Sequence, residues 1–328
     1  MAQTRLRRRS AIPWVFATAL FLSFWAIFFH APAGEHSSDN NLLFYFASAD
    51  SPLKASSVPL TAGVVPKRFH SHNDYEQSIP LFKALSYGAA SVEADIYLVN
   101  DKLLVGHTEN ELSPNKTLAS LYLDPLVSLI RSANVDRQTG SRRGVFETAP
   151  FTPLHLLVDI KTDGPSTFAK LYSALEPLRF MGYLSTWDSH MMSTGTYRPS
   201  LITVIGTGNT PLESVQALGY DFNTPRDIFL DAPLSALPQD HRNMFNATIS
   251  PLASVDFGST VGLGWIAPAI GRKRIRRLVE VAHAKGIQAR FWNTPITPTW
   301  VRKYIWQILL DEGVDWLNVD DLPGAKDF

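Results

Sequence analysis

The chain has 328 residues, 45% of them hydrophobic, with 30 basic and 30 acidic side chains and no cysteine. A zero net charge leaves no electrostatic footprint for nucleic acid, and the missing thiols exclude disulfides and thiolate metal sites. The length accommodates one barrel of about 250 residues behind a leading segment, or two smaller domains.

Arg5, Arg7, Arg8 and Arg9 precede an uncharged apolar stretch from Ala11 to Phe29 that is long enough to cross a bilayer. Ala31-Pro32-Ala33 then offers a small-x-small cleavage site, so residues 1–33 read as a signal peptide or a retained signal anchor. The arginine cluster stays cytosolic in either case, which sends the remainder into the secretory pathway, lumenal or extracellular, secreted or single-pass. The membrane is a partner if the segment is uncleaved. The sequons Asn115-Lys116-Thr117 and Asn246-Ala247-Thr248 are compatible with that side. Residues 34–62, rich in Ser, Ala, Asp and Pro, read as a linker, and residues 63–328 as the folded domain.

Eight strands are expected in that domain: Val64 to Phe69, Ser91 to Val99, His155 to Lys161, Leu201 to Ile205, Asp227 to Leu230, Thr248 to Val255, Ile287 to Trp292 and Asp315 to Val319. Amphipathic helices are expected between many of them, with Ile275, Leu278, Val279 and Ala282 on one face and Val301, Tyr304, Ile305, Ile308 and Leu309 on another. A further helix is expected from Ile79 to Leu85. Strands alternating with helices specify a parallel sheet wrapped by helices, and eight strands in one domain specify a closed TIM-type (β/α)8 barrel. The run Arg272-Lys273-Arg274-Ile275-Arg276-Arg277 reads as the solvated face of an outer helix, and His155, His190, His241 and His283 as structural or surface residues.

Catalytic groups of such a barrel sit at the C-terminal ends of its strands. His72 lies just past the first strand, within His70-Ser71-His72-Asn73-Asp74-Tyr75. Glu93 and Asp95 lie at i and i+2 on the second strand, hence on one face. Two carboxylates so placed repel by about 4 kcal/mol at about 4 Å with an effective dielectric near 20. A hard divalent cation offsets that repulsion, and nearby histidines supply acid and base near neutral pH. His107 closes a short extension after Asn100-Asp101. On the third strand Asp159 and Lys161 again share a face, where Asp159 can be a third oxygen ligand and Lys161 can hold a phosphate, or the two can simply pair with each other. His70 is either a direct participant or a support for its neighbours. Asp74 either joins the site or caps the turn before the helix. Trp292 and Asn318-Val319-Asp320-Asp321 follow late strands and line the same rim, Trp292 as packing or substrate contact.

These residues resemble the phospholipase C-like phosphodiesterase superfamily, which includes glycerophosphodiester phosphodiesterases and sphingomyelinase D-type enzymes. His-Ser-His-Asn-Asp-Tyr, Ser-Val-Glu-Ala-Asp and Leu-Val-Gly-His are most similar to the fungal altered inheritance of mitochondria protein 6 family, and the resemblance runs from about Lys67 to Leu322. It implies a barrel binding one divalent cation, Mg2+ or else Ca2+, on Glu93, Asp95 and Asp159, with His72 and His107 transferring protons. Lys161 would face the substrate phosphate; beside what the resemblance implies, Asn73 in the first loop and Trp292 on the rim are candidate substrate contacts by their position in the sequence. The implied activity is metal-dependent hydrolysis of a phosphodiester, such as a phospholipid or glycerophosphodiester. The alternatives are a barrel that binds a phosphorylated lipid or metal without turnover, and a metal-dependent hydrolase of another ester. The Pro-Glu-Asn triplet of glycerophosphodiesterases is missing after His72, which removes one expected glutamate ligand.

Overall fold

The computed structural model describes residues 60–135, 141–189, 195–219, 225–265 and 268–328. The targeting segment, most of the linker and His190 lie outside them. Among the described residues no helix is long and apolar enough to cross a membrane.

The strands are β1 Lys67–Ser71, β2 Ala89–Val99, β3 Lys102–Val105, β4 Leu154–Ile160, β5 Thr186–Asp188, β6 Thr196–Arg198, β7 Ile202–Gly208, β8 Ile228–Pro233, β9 Leu252–Asp256, β10 Gln288–Trp292 and β11 Trp316–Val319. Eight of them run parallel in the order β1-β11-β10-β9-β8-β7-β4-β2, and β2 pairs back onto β1. The sheet is therefore a closed TIM-type barrel, and all eight expected strands are present. Their limits shift by physical causes. The first strand continues through Ser71, so His70 sits within the ladder opposite Ser91 and Asn318. The sixth begins only at Leu252, because Pro251 has no N–H to donate and Asn246 Oδ1 takes the Thr248 N–H instead.

The helices are α1 Phe82–Tyr87, α2 Asp124–Ser132, α3 Gly164–Ala174, α4 Glu176–Phe180, α5 Leu212–Ala217, α6 Phe257–Val261, α7 Pro268–Ala284, α8 Thr299–Asp311 and α9 Leu322–Lys326. Ile275, Val279 and Ala282 of α7 and Val301, Ile305, Ile308 and Leu309 of α8 are buried as their periodicity requires, while Tyr304 is exposed. The basic run on α7 is only partly a solvated face: Arg272 and Arg276 both hold the buried carboxylate of Glu312. The helix expected over 79–85 starts three residues later, at Phe82.

Inside the barrel, Leu157, Ile205, Phe229, Leu252 and Trp316 form an apolar plug against which Trp187 packs. His155 stacks on Trp316 with ring centroids 4.6 Å apart, so it belongs to the interior of the barrel. A polar layer joins β8 to β11: Arg290 donates to Ser254 Oγ at 2.9 Å, to Asn318 Oδ1 at 2.9 Å and to Asp231 Oδ2 at 3.2 Å. The strand ends beyond this layer carry the candidate site.

Candidate active site

Three local structures position the site. The first is the loop after β1, where Asn73 adopts a left-handed conformation with φ 45° that turns the chain across the barrel mouth. Asp74 anchors that loop from beneath, its carboxylate accepting from Ser71 Oγ at 2.8 Å, from the Leu81 N–H at 2.6 Å and from Tyr122 Oη at 3.0 Å. Asp74 is fully buried, so of the two roles considered for it the structure shows the anchoring one.

The second is the long strand β2. Its first part lies in the barrel wall, and its end pairs antiparallel with β3, Ile96 opposite Val105 and Val99 opposite Lys102. The two-residue turn Asn100-Asp101 has φ 47° and 62°, the geometry that closes hairpins with the twist of their strands. The hairpin folds His107 back toward Asp95, and Tyr97 Oη fixes it by donating to the His107 carbonyl at 2.9 Å. The third is the end of β4, in register with β2 so that Asp159 lies opposite Asp95.

Glu93, Asp95 and Asp159 converge, each offering an oxygen within 4.8 Å of the other two. Glu93 Oε2 accepts the Asn73 backbone N–H at 3.2 Å and lies 3.3 Å from His70 Nε2 and 3.9 Å from His72 Nε2. Asp95 Oδ2 accepts from Tyr75 Oη at 2.8 Å and Lys161 Nζ at 3.0 Å, and Lys161 Nζ also reaches Asp159 Oδ2 at 2.8 Å. Asp95 Oδ1 and Asp159 Oδ1 are buried without a hydrogen-bond partner in the protein. Three converging carboxylates, with the buried Asp95 Oδ1 unsatisfied, are the donor set of a hard divalent cation, which these three residues fit as holders.

The electrostatics carry the mark of that crowding. Burial, reinforced by the charges of Glu93 and Asp159, pushes the Asp95 carboxyl up to about 6 against the pull of Lys161 and Tyr75. Burial also raises Asp159. For Glu93 burial acts in the same direction, but the bond from His70 and the charges of His72, His70 and Arg290 outweigh it and hold the carboxyl well below its ordinary value.

His72 and His107 flank the carboxylates. His72 Nδ1 lies 2.8 Å from Asp320 Oδ1 at the end of β11. Burial works against a charge on His72, yet the Asp320 bond and the charges of Glu93 and Asp320 prevail and raise it to about 9. His107, half exposed, directs Nδ1 toward Tyr75 Oη at 3.2 Å and Asp95 Oδ2 at 3.7 Å. His70 is fully buried between Ser91 Oγ, 2.7 Å from Nδ1, and Glu93. Burial and the Arg290 charge lower it to about 4, which makes it a neutral ring that steadies Glu93.

The structure thus gathers His72, Asn73, Glu93, Asp95, His107, Asp159 and Lys161. Trp292 lies on the rim, at the exposed end of β10 two strands from β1 in the barrel. The expected ion pair between Lys161 and Asp159 exists but is shared with Asp95. Sequence reasoning missed Tyr75, which links Asp95, Asn73 and His107, and Arg290 beneath the carboxylates. It placed Asp320 on the rim without seeing its bond to His72, since 248 residues separate them.

A family model described as an AIM6-like phosphodiesterase domain matches residues 58–231. Among curated relatives, "Altered inheritance of mitochondria protein 6 homolog" of Arthroderma benhamiae is 36% identical over 293 residues, covering 85% of this chain and 88% of that protein. "Altered inheritance of mitochondria protein 6" of Eremothecium gossypii is 34% identical over 295 residues, covering 84% and 73%. A solved structure titled phosphatidylinositol-specific phospholipase C, from Listeria monocytogenes, aligns over 84% of this chain and 94% of that one with TM-score 0.43 and 10% identity, a likeness too loose to carry an inference.

Proposed function

The chain belongs to the AIM6-like phosphodiesterase family, and on that premise we propose that it is a divalent-cation-dependent phosphoric diester hydrolase acting on a phospholipid or glycerophosphodiester-like substrate. The observation that carries this reading is the convergence of Glu93, Asp95 and Asp159 within 4.8 Å, with His72 and His107 against them at one barrel mouth.

Glu93, Asp95 and Asp159 would hold the cation, Mg2+ or Ca2+, which when bound supplies Lewis-acid polarisation of phosphate oxygens. The remaining work falls to the chain. Lys161 contributes a point charge for the phosphate, and Asn73 offers its side chain beside it at the mouth. One histidine takes the proton of the attacking hydroxyl, from water or from the substrate itself, and the other protonates the leaving oxygen. Asp320 holds His72 through Nδ1, which leaves Nε2 facing the carboxylates. Trp292 supplies an apolar rim contact for a lipid substrate. The N-terminal segment would deliver this domain through the secretory pathway or hold it at a membrane.

The test is turnover by His72→Ala and His107→Ala, each expected to lose roughly 100- to 10,000-fold in kcat. Full activity in either variant overturns the assignment. Saturable association of a phosphorylated lipid without product, in the folded wild-type protein, would favour a binding-only barrel.

A further inference from the structure

On the metal-site reading above, we propose that Lys161 is the resident counter-cation of that site, bridging Asp95 and Asp159 until a divalent cation displaces its ammonium and frees it to receive the substrate phosphate.

The two carboxylates face each other across the β2–β4 register, and Lys161 Nζ sits between them, 3.0 Å from Asp95 Oδ2 and 2.8 Å from Asp159 Oδ2. Asp159 decides whether ammonium and metal can share the site. Its Oδ1 is turned onto the neighbouring strand, so close to the Gly208 backbone that a Cβ built there would fall 1.9 Å from it. The oxygen left facing the cluster is Oδ2, which Lys161 already holds. Asp95 Oδ2 is engaged by Lys161 and by Tyr75 together, while its buried Oδ1 is unpartnered, so the conflict with a metal falls on Asp159. A dication entering the cluster must take Asp159 Oδ2, and two cations on one carboxylate oxygen in a half-buried site repel strongly. The ammonium therefore leaves as the metal arrives.

The lysine has somewhere to go. It lies just past the end of β4 with its side chain about one-third exposed at the mouth, on a long flexible stem. Released there, it is a point charge for an incoming phosphate, so the metal binds first and the anionic substrate second. Before the metal arrives, the same ammonium relieves part of the repulsion among three carboxylates and keeps the loops around them in place.

The experiment measures Mn2+ binding alone, by electron paramagnetic resonance of free Mn2+, on the full wild-type chain, Lys161→Met and Lys161→Arg. Removing the competing charge should tighten Mn2+ binding by about tenfold or more in K161M and leave K161R near wild type. Because K161M leaves the carboxylates without their counter-cation when metal is absent, a second measurement uses the wild-type chain: lysine acetylation read by mass spectrometry with and without Mn2+. Acetylation of Lys161 should rise severalfold with Mn2+, while that of Lys170, paired with Asp101 on the surface, stays constant. Equal or weaker Mn2+ binding by K161M, or acetylation of Lys161 unmoved or lowered by Mn2+, overturns the displacement proposal and leaves the metal site standing. Mn2+ binding by neither wild type nor K161M overturns the metal-site reading and the proposal with it.

Discussion

His72 and Asp320 form the pair on which the proposed proton transfer depends most. An imidazole ring held by a carboxylate at Nδ1 is fixed in both orientation and tautomer, so its other nitrogen faces one direction. Asp320→Asn is expected to reduce kcat by roughly 10- to 100-fold with the fold intact, the loss typical of an orienting partner, as stopped-assay kinetics beside circular dichroism would show. His155 makes a different prediction. Burial holds it at about 4, below the ordinary 6.5, so the unfolded chain binds more protons than the folded one between those values. Its contribution to stability is complete above pH 6.5 and is lost as pH falls toward 4. Urea unfolding across that window should show His155→Phe losing less stability than wild type, by up to about 3 kcal/mol. The slope that remains belongs partly to His70, which is lowered in the same way. His155 reads in sequence as a structural or surface residue, and nothing local announces that its ring lies on Trp316 inside a barrel.

Among the elements, β2 does most of the positioning. Its alternation put Glu93 and Asp95 on one face in the sequence, and the structure keeps them there. The Asn100-Asp101 turn was visible as a break, although its role in swinging His107 back depends on two positive φ values that composition only hints at. Asp159 and Lys161 were legible for the same period-two reason. The bond from Asp320 to His72 was not, since closure of the barrel between β1 and β11 brings together residues from the two ends of the domain. Tyr75 stood in plain view within the first motif, but a tyrosine two residues past an expected turn carries no signal of its own. The loop it occupies rests on Asp74 and Tyr122. Tyr122→Phe removes one donor to a buried carboxylate, and an unsatisfied group of that kind costs about 1–3 kcal/mol; chemical denaturation should register that loss with kcat little changed.

For the whole molecule, the barrel is a stack of layers: an apolar plug, the Arg290 layer, then the carboxylates and histidines. The eight strands and the closed barrel could be read from strands alternating with amphipathic helices, whereas the charged layer inside the barrel contradicts what interior positions usually hold and no spacing rule foretold it. Breaking a buried pair leaves an unpaired charge, so Arg290→Met is expected to cost about 3–5 kcal/mol and Arg290→Met with Asp231→Leu to recover part of it. Asn115 is exposed beside β3, and on a lumenal route it is expected to carry a glycan. Endoglycosidase treatment should then lower the apparent mass of the wild-type chain more than that of Asn115→Gln. Phosphodiester hydrolysis at the three carboxylates is the activity proposed for this barrel. It is tested most directly by phosphorus NMR of the folded protein incubated with lysophospholipids, glycerophosphodiesters and sphingomyelin, with Mg2+ and with chelator. A new monoester or cyclic phosphate signal that chelator and His107→Ala both abolish is the predicted result. Unchanged substrate signals with metal bound, or a product signal indifferent to both chelator and His107→Ala, would contradict it.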